Sequence, residues 1–235
     1  MNIYMMQEDL KNNKRVYVIG NKKVVVVKSH NFVLPIWAEH CSKTEREYRL
    51  ITFDYHMDTR PIFSQYAYKK CNGDMARVNS YEEQRKIFNK YIKCKYDVDS
   101  IEEMTKLYVY HDEHIETAYN MGYISDFFCV CKDEQDYSNA YRHYLVVNSH
   151  IEKTDILCFI DKAMLQPYIL DVDLDFFNCE EDFQKNEEIL VKLIRNTDII
   201  TIATENEYFE YLSNSSEWTN ELALQMVIKL IKENS

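Results

Sequence analysis

Short, continuously apolar runs alternate with longer helical patterns along most of this sequence. They include VVVV (24–27), LITF (50–53), FFCVC (127–131) and IITIA (199–203). Strands that are apolar along their whole length are buried on both faces, which is typical of parallel strands covered by helices. We therefore predict an α/β fold, a three-layer sandwich with a mainly parallel central sheet, formed by one domain over residues 1–235.

Two further segments carry strand-like patterns, and two stretches do not follow any period. ILCFI (156–160) and PYILDVDLDFF (167–177) are predicted as strands, whereas 57–80 and 132–150 are predicted to be irregular. In folds of this class, ligands bind at the carboxyl ends of the strands. The chemistry of the protein is therefore expected at those strand ends.

Glycine is scarce, since Gly20, Gly73 and Gly122 are the only glycines in 235 residues. A P-loop needs two glycines close together, and a dinucleotide-binding fingerprint needs three within six residues. Neither pattern can be formed with glycines so far apart. We therefore exclude a glycine-rich phosphate-binding loop.

The net charge of −11 restricts the partners of the protein. An acidic surface repels nucleic-acid phosphate and anionic lipid, so we expect neither a nucleic acid nor a membrane as partner. A cationic substrate or a metal ion is favoured instead. The seven cysteines include no C-x-x-C pair. This usage predicts reduced, mostly buried thiols in a cytoplasmic protein.

Two apolar strands end in alternating acidic side chains. The first is ITFDYHMDT (51–59), with Asp54, His56 and Asp58, and the second is YILDVDLDFF (168–177), with Asp171, Asp173 and Asp175. A period of two places each set on one face of its strand. Like charges on one face are costly unless a cation neutralises them. The two patterns together favour a divalent metal site over two ordinary polar turns.

A calcium loop is a weaker interpretation of the second pattern. Such a loop needs a glycine where this sequence has Phe176, and a buried strand precedes the acids.

The segments F-D-Y-H-M-D (53–58) and L-D-V-D-L-D (170–175) resemble the two metal-binding signatures of the arginases and other ureohydrolases. The resemblance implies a two-metal site, usually manganese, and one more histidine ligand from an earlier strand. His30 follows the VVVV strand and fits that position. The implied ligands are His30, Asp54, His56, Asp58, Asp171 and Asp173, holding two Mn²⁺ or other divalent ions.

The segments S-H-N-F-V-L-P-I-W (29–37) and D-V-D-L-D-F-F (171–177) are more similar to a smaller branch, the peptide arginases. The glycine-marked motifs of ordinary arginases are absent. Peptide arginases convert arginine in ribosomally made peptides to ornithine and release urea. The resemblance implies attack on the guanidinium carbon by hydroxide held between the two metals, with an arginine-containing precursor peptide as partner.

Further residues are candidates for supporting roles. Glu205 follows the IITIA strand and is predicted to act in catalysis by orienting the guanidinium group, with Glu207 as a second substrate-binding acid. His114 is the candidate proton shuttle. Helix capping for the two acids and an ordinary surface position for His114 are the alternatives.

Other functions stay open. They are a ureohydrolase of free arginine or agmatine, a single-zinc deacetylase and a non-catalytic metal-binding module. The sequence also leaves open whether the chain forms a homo-oligomer.

Overall fold

A computed structural model describes residues 3–9, 14–74, 82–132, 144–148, 157, 160–213 and 217–235. The chain divides into two compact units. The first comprises residues 1–30, 48–57 and 126–235, and the second comprises residues 31–47 and 58–125. Each unit is therefore built from separate stretches of sequence.

Eight strands form one sheet in the order β1-β2-β3-β8-β7-β4-β5-β6. The strands are β1 (Ile3–Asp9), β2 (Lys14–Ile19), β3 (Lys22–Val27), β4 (Tyr48–Asp54), β5 (Ile124–Cys131), β6 (Tyr144–Asn148), β7 (Tyr168–Asp173) and β8 (Ile199–Ala203). β1, β2 and β3 pair antiparallel. The pairs β3–β8, β8–β7, β7–β4 and β5–β6 are parallel, so the predicted mainly parallel α/β fold is confirmed at this level.

Eight α-helices lie entirely within the described residues. They are α1 (Leu34–Thr44), α2 (Ser64–Lys70), α3 (Glu82–Tyr91), α4 (Val98–Tyr108), α5 (His114–Met121), α6 (Glu180–Asn196), α7 (Asn206–Leu212) and α8 (Asn220–Glu233). α5 ends at Gly122 with φ of 71°, a left-handed conformation that glycine adopts without steric cost. Among the described residues, no helix combines the length and the low polarity that crossing a bilayer requires.

The main hydrophobic core lies on one face of the sheet in the first unit. Alternate strand residues enter it, because side chains on a strand point to opposite faces with a period of two. They are Val24, Val26, Ile51, Phe53, Phe128, Val130, Leu170, Val172, Ile200 and Ile202. The apolar faces of α6 and α8 complete this core with Leu190, Leu193, Val227 and Ile231. The strand residues on the opposite face include Asp54, Asp171 and Asp173.

Three local predictions differ from the structure. Leu157 and residues 160–163 are helical rather than extended, and residues 156, 158 and 159 lie outside the described residues. The stretches predicted to be irregular contain α2 and β6. The six cysteines within the described residues are free thiols, and four of them are buried, as predicted.

Candidate metal centre

The carboxyl end of β7 supplies three buried aspartates. Asp171 and Asp173 belong to the strand, on the face opposite the main core, and Asp175 lies in the 3₁₀ turn Leu174–Phe176 that follows. The Asp173 carboxylate accepts a hydrogen bond from the backbone N of Asp175 at 3.2 Å. All three residues are at most 2% exposed. Burying that many carboxylates costs several kcal/mol for each ion unless cations neutralise them.

The end of β4 lies beside β7 and adds Asp54 and His56. The strand stops at Asp54, and the Asp54 carboxylate accepts the backbone N–H of His56 at 2.8 Å. The backbone N of Tyr55 donates to Asp175 at 3.2 Å. The predicted strand alternation therefore does not extend to His56 and Asp58. Hydrogen bonds of the turn, and not the pleat of a strand, position His56.

His30 lies just beyond β3, at the start of a 3₁₀ turn over His30–Val33. Its ring is fully buried and lies between aspartates of two strands. The Nε2 atom is 2.7 Å from Asp171 Oδ2, and the Nδ1 atom is 3.1 Å from Asp173 Oδ2 and 3.4 Å from Asp54 Oδ2. Proximity of this histidine to the acidic strand ends agrees with the prediction from sequence.

Within the first unit, two overlapping groups of side chains present donor atoms close enough to hold metal ions. One consists of His30, Asp54 and Asp173, and the other of Asp54, His56 and Asp175. Within each group the donor atoms lie within 4.8 Å of one another. Asp54 is common to both groups. Two groups that share one carboxylate are compatible with two neighbouring cations.

His30 and the buried acids strongly affect one another's pKa values. Burial disfavours the charged form of His30, but the carboxylates of Asp171, Asp173 and Asp54 outweigh it and raise the pKa of His30 well above its usual range. Burial and repulsion from Asp175 raise the pKa of Asp173 well above that of a solvated aspartate, although His30 opposes this. His30 therefore does not by itself offset the burial and the repulsion that act on Asp173.

The donor set fits divalent metal ions. It offers carboxylate oxygens and imidazole nitrogens, and such oxygen-rich ligands with some imidazole suit Mn²⁺ among other ions. No cysteine belongs to either group, which makes a thiolate-rich structural zinc site a poor match. The residues therefore could hold metal ions, and their chemistry does not fix which metal.

Glu205 lies at the carboxyl end of β8 and makes a structural contact with the centre. Its Oε1 atom accepts the backbone N–H of His30 at 2.8 Å, and its own backbone N donates to the carbonyl of Lys28 at 3.1 Å. The residue adopts a left-handed conformation with φ of 30° and ψ of 55°. Glu207 lies on α7 and is exposed. Of the two acids, Glu205 is bonded to the turn that carries His30.

Asp58 and His114 both belong to the second unit. His114 begins α5 and is fully buried, so it is not an ordinary surface histidine. Its Nδ1 atom lies 2.7 Å from the carbonyl oxygen of His111, to which it donates, and 3.7 Å from Asp58 Oδ2. The structure therefore places these two predicted residues beside each other. Their roles as metal ligand and proton shuttle stay predictions.

Asp175 belongs to one metal-binding group but was not in the ligand set implied by the resemblance. The alternation of three aspartates was a signal for it, because Asp175 continues the pattern of Asp171 and Asp173. Two threonines that bond Asp171, Thr52 and Thr201, gave no such signal. Threonine is common in strands, so its presence in β4 and β8 does not indicate a site.

Comparisons with known proteins identify no family. The sequence matches no protein-family model, and no curated protein matches it either. The conclusions about function therefore depend on the geometry and chemistry of the site.

Proposed function

We propose that the chain is a binuclear metal hydrolase that converts arginine within a peptide to ornithine and releases urea. The observation that carries this proposal is the pair of histidine–aspartate groups that share Asp54. In the proposed centre, His30 and Asp173 would hold one ion and His56 and Asp175 the other, and Asp54 would contribute to both sites. The ions are manganese in this proposal.

Two bound divalent ions would supply Lewis acidity and a nucleophile derived from water at neutral pH. The residues of the chain position these ions and keep the inner side of the centre dry. His30 and Asp173 are buried, whereas the side chain of His56 is 35% exposed. A substrate would therefore approach from the side of His56.

The proposed substrate group is a guanidinium ion, which stays protonated in water. It needs carboxylates and aromatic faces to hold it. Exposed side chains of α7 meet this need, since the ring of Tyr208 lies 6.0 Å from that of His56 and Glu207 lies on the same helix. Glu207 suits guanidinium binding better than Glu205, because Glu205 Oε1 already accepts the His30 amide.

An exposed position of these side chains supports a peptide substrate over a small molecule. Tyr211 is 86% exposed and Glu210 is also exposed, one turn along α7 from Glu207 and Tyr208. A long chain can lie across such a surface while one arginine reaches the metals. This proposal includes the finer fold assignment, an arginase-like three-layer sandwich, which the mainly parallel sheet supports.

Metal content tests the centre directly. Protein freed of metal and dialysed against Mn²⁺ is expected to retain two ions per chain, measured by elemental analysis. Asp54→Asn should lose both ions, because Asp54 contributes to both groups. The matched control is Asp99→Asn, which removes the same charge from an exposed position on α4. Retention of both ions by Asp54→Asn would exclude the proposed centre.

Reaction products test the substrate. Manganese-loaded protein is incubated with arginine-containing peptides encoded beside its gene, with free arginine and with agmatine. Each modified arginine should lose the mass of CN₂H₂, measured by mass spectrometry, and release one urea. Urea from the free compounds alone would replace the peptide assignment with a small-molecule ureohydrolase. A protein that holds two ions but releases no urea from any of them would refute the hydrolase proposal.

A further inference from the structure

Asp171 is bonded on both of its carboxylate oxygens. Oδ2 accepts hydrogen bonds from His30 Nε2 at 2.7 Å and from Thr52 Oγ1 at 3.1 Å, and Oδ1 accepts one from Thr201 Oγ1. The side chain is fully buried in the sheet. An ionised carboxylate only accepts hydrogen bonds. Asp171 therefore already uses its oxygens on donors from the protein.

The register of the sheet brings these partners together. Thr52 on β4 pairs with Asp171 on β7, and Asp171 pairs in turn with Thr201 on β8. The three side chains thus lie in one row across neighbouring parallel strands. Because the strands on both sides hold Asp171, its carboxylate has a fixed position within the sheet.

The position of Asp171 determines how the ring of His30 is presented. A carboxylate cannot donate, so the Nε2 atom must carry the proton of the 2.7 Å hydrogen bond. The other nitrogen, Nδ1, then faces Asp54 and Asp173. Metal-bound histidines commonly donate their second ring N–H to a carboxylate, which fixes the tautomer and the orientation of the ring.

We propose that Asp171 is a positioning residue and not a metal ligand. With Thr52 and Thr201, it holds His30 so that Nδ1 is the metal-binding nitrogen. This inference rests on the proposed metal centre, and it replaces Asp171 by Asp175 in the ligand set that the resemblance implied. Asp173 and Asp175 are then the ligands from the second acidic pattern.

Manganese titration by calorimetry distinguishes the two roles. Asp171→Asn keeps an oxygen that can accept from His30 Nε2, so it should bind the same number of ions as the wild type with a small loss of affinity. Asp171→Ala should keep that number and bind about 10–100-fold more weakly. The comparison is Asp173→Asn, which should bind fewer ions. If Asp171→Asn lost as many ions as Asp173→Asn, Asp171 would be a ligand.

Thr201→Val extends the test to a residue that is not a candidate metal ligand. It replaces the hydroxyl by a methyl group of similar shape and removes the donor to Asp171 Oδ1. We expect weaker manganese binding with an unchanged number of ions. An affinity equal to that of the wild type would contradict the proposed chain of contacts from Thr201 through Asp171 to His30.

A readout on metal-free protein separates this inference from the proposed function. In protein labelled with ¹⁵N-histidine, the Nε2 proton of His30 should exchange slowly with solvent and resonate downfield. The signal should persist in Asp173→Asn and disappear in Asp171→Ala, with circular dichroism confirming that both variants fold. Its absence from the wild type would overturn the role of Asp171. A wild type that shows the signal but binds no manganese would instead overturn the proposed function.

Discussion

Glu113 is a buried carboxyl group of the second unit that ties the start of α2 and the loop before α5 to the start of α5. Its Oε1 atom accepts hydrogen bonds from Ser64 Oγ at 2.7 Å and from the backbone N of Gln65 at 2.6 Å, and its Oε2 atom accepts the backbone N–H of Tyr110 at 3.1 Å. Burial raises the pKa of Glu113, although these hydrogen bonds oppose the increase. The protein therefore folds more favourably when Glu113 is protonated than when it is ionised.

Glu113→Gln tests this pH dependence. The pKa of Glu113 in the folded state lies above the ordinary glutamate value of 4.5. The contribution of protonated Glu113 to stability is therefore complete below pH 4.5, and it is lost as pH rises through the folded-state pKa. The free energy of unfolding of the wild type minus that of the variant should therefore fall as pH rises. Urea unfolding with a chelator, from acidic to neutral pH, measures it. A difference that grows with pH would contradict the assignment.

Cys41 provides a second test at the level of one residue. Its thiol is fully buried and donates to the carbonyl oxygen of Tyr123 at 3.3 Å. Burial, with repulsion from Glu47, raises the pKa of Cys41 to about 12. Because the thiolate is the reactive form, native Cys41 should resist iodoacetamide at neutral pH. Peptide mass mapping should find the half-buried Cys94 and Cys179 labelled first, and all three labelled in urea.

At the scale of elements, the junction between β8 and α7 combines strain with a tertiary contact. Glu205 is one of five described non-glycine residues with positive φ, and its carboxylate bonds the turn that carries His30. A left-handed conformation costs a residue with a side chain roughly 1–2 kcal/mol. The observed backbone is therefore maintained at a cost, which is typical of functional sites.

A pair of variants isolates that strain. Glu205→Ala and Glu205→Gly both remove the carboxylate, but glycine adopts positive φ without steric cost. Glu205→Gly should therefore be more stable than Glu205→Ala by about 1 kcal/mol, after allowing for the greater freedom of glycine in the unfolded chain. Urea unfolding followed by circular dichroism measures the difference. Equal stabilities would show that the left-handed conformation carries no strain.

The strands of the central sheet were predictable because their apolar character is continuous. β3, β4 and β8 are buried on both faces, which leaves a clear signal in the sequence. α7 was not predicted, because its seven residues are mostly polar or aromatic and show too short a pattern for a helix. β1, which pairs with β2, was not predicted either, because its sequence IYMMQED has only a short apolar run and ends in three polar residues.

The candidate site was predictable in kind but not in detail. Asp54 and Asp173 follow from strand ends that meet at one edge of a parallel sheet, whereas His30 was implied by the resemblance to the ureohydrolases. The alternation rule failed beyond Asp54, because the strand ends there and turn hydrogen bonds position His56. The bonds of Asp171 depend on the register of three strands distant in sequence, which no local pattern contains.

At the scale of the whole molecule, the buried acids are part of a net charge of −11. Each manganese ion that binds only the folded state stabilises it by about 2.7 kcal/mol at a concentration 100 times the dissociation constant. For a chain of this length, that corresponds to an increase in melting temperature of roughly 5–10 °C. Asp54→Asn should show no increase in a thermal scan, whereas Asp99→Asn should match the wild type. An increase retained in Asp54→Asn would indicate that manganese stabilises the protein elsewhere.

The insertion of β8 between β3 and β7 has a consequence for biosynthesis. A ribosome completes β3 and β7 well before β8, the last strand of the described sequence, which pairs with both. Until β8 is made, the position between β3 and β7 is empty, so His30 and the aspartates of β7 are not held together. In the proposed centre, the group of His30, Asp54 and Asp173 should therefore form only after β8 has been synthesised and has paired with both strands. The group of Asp54, His56 and Asp175 does not depend on β8. Until β8 pairs, a chaperone can shield the open strand edges.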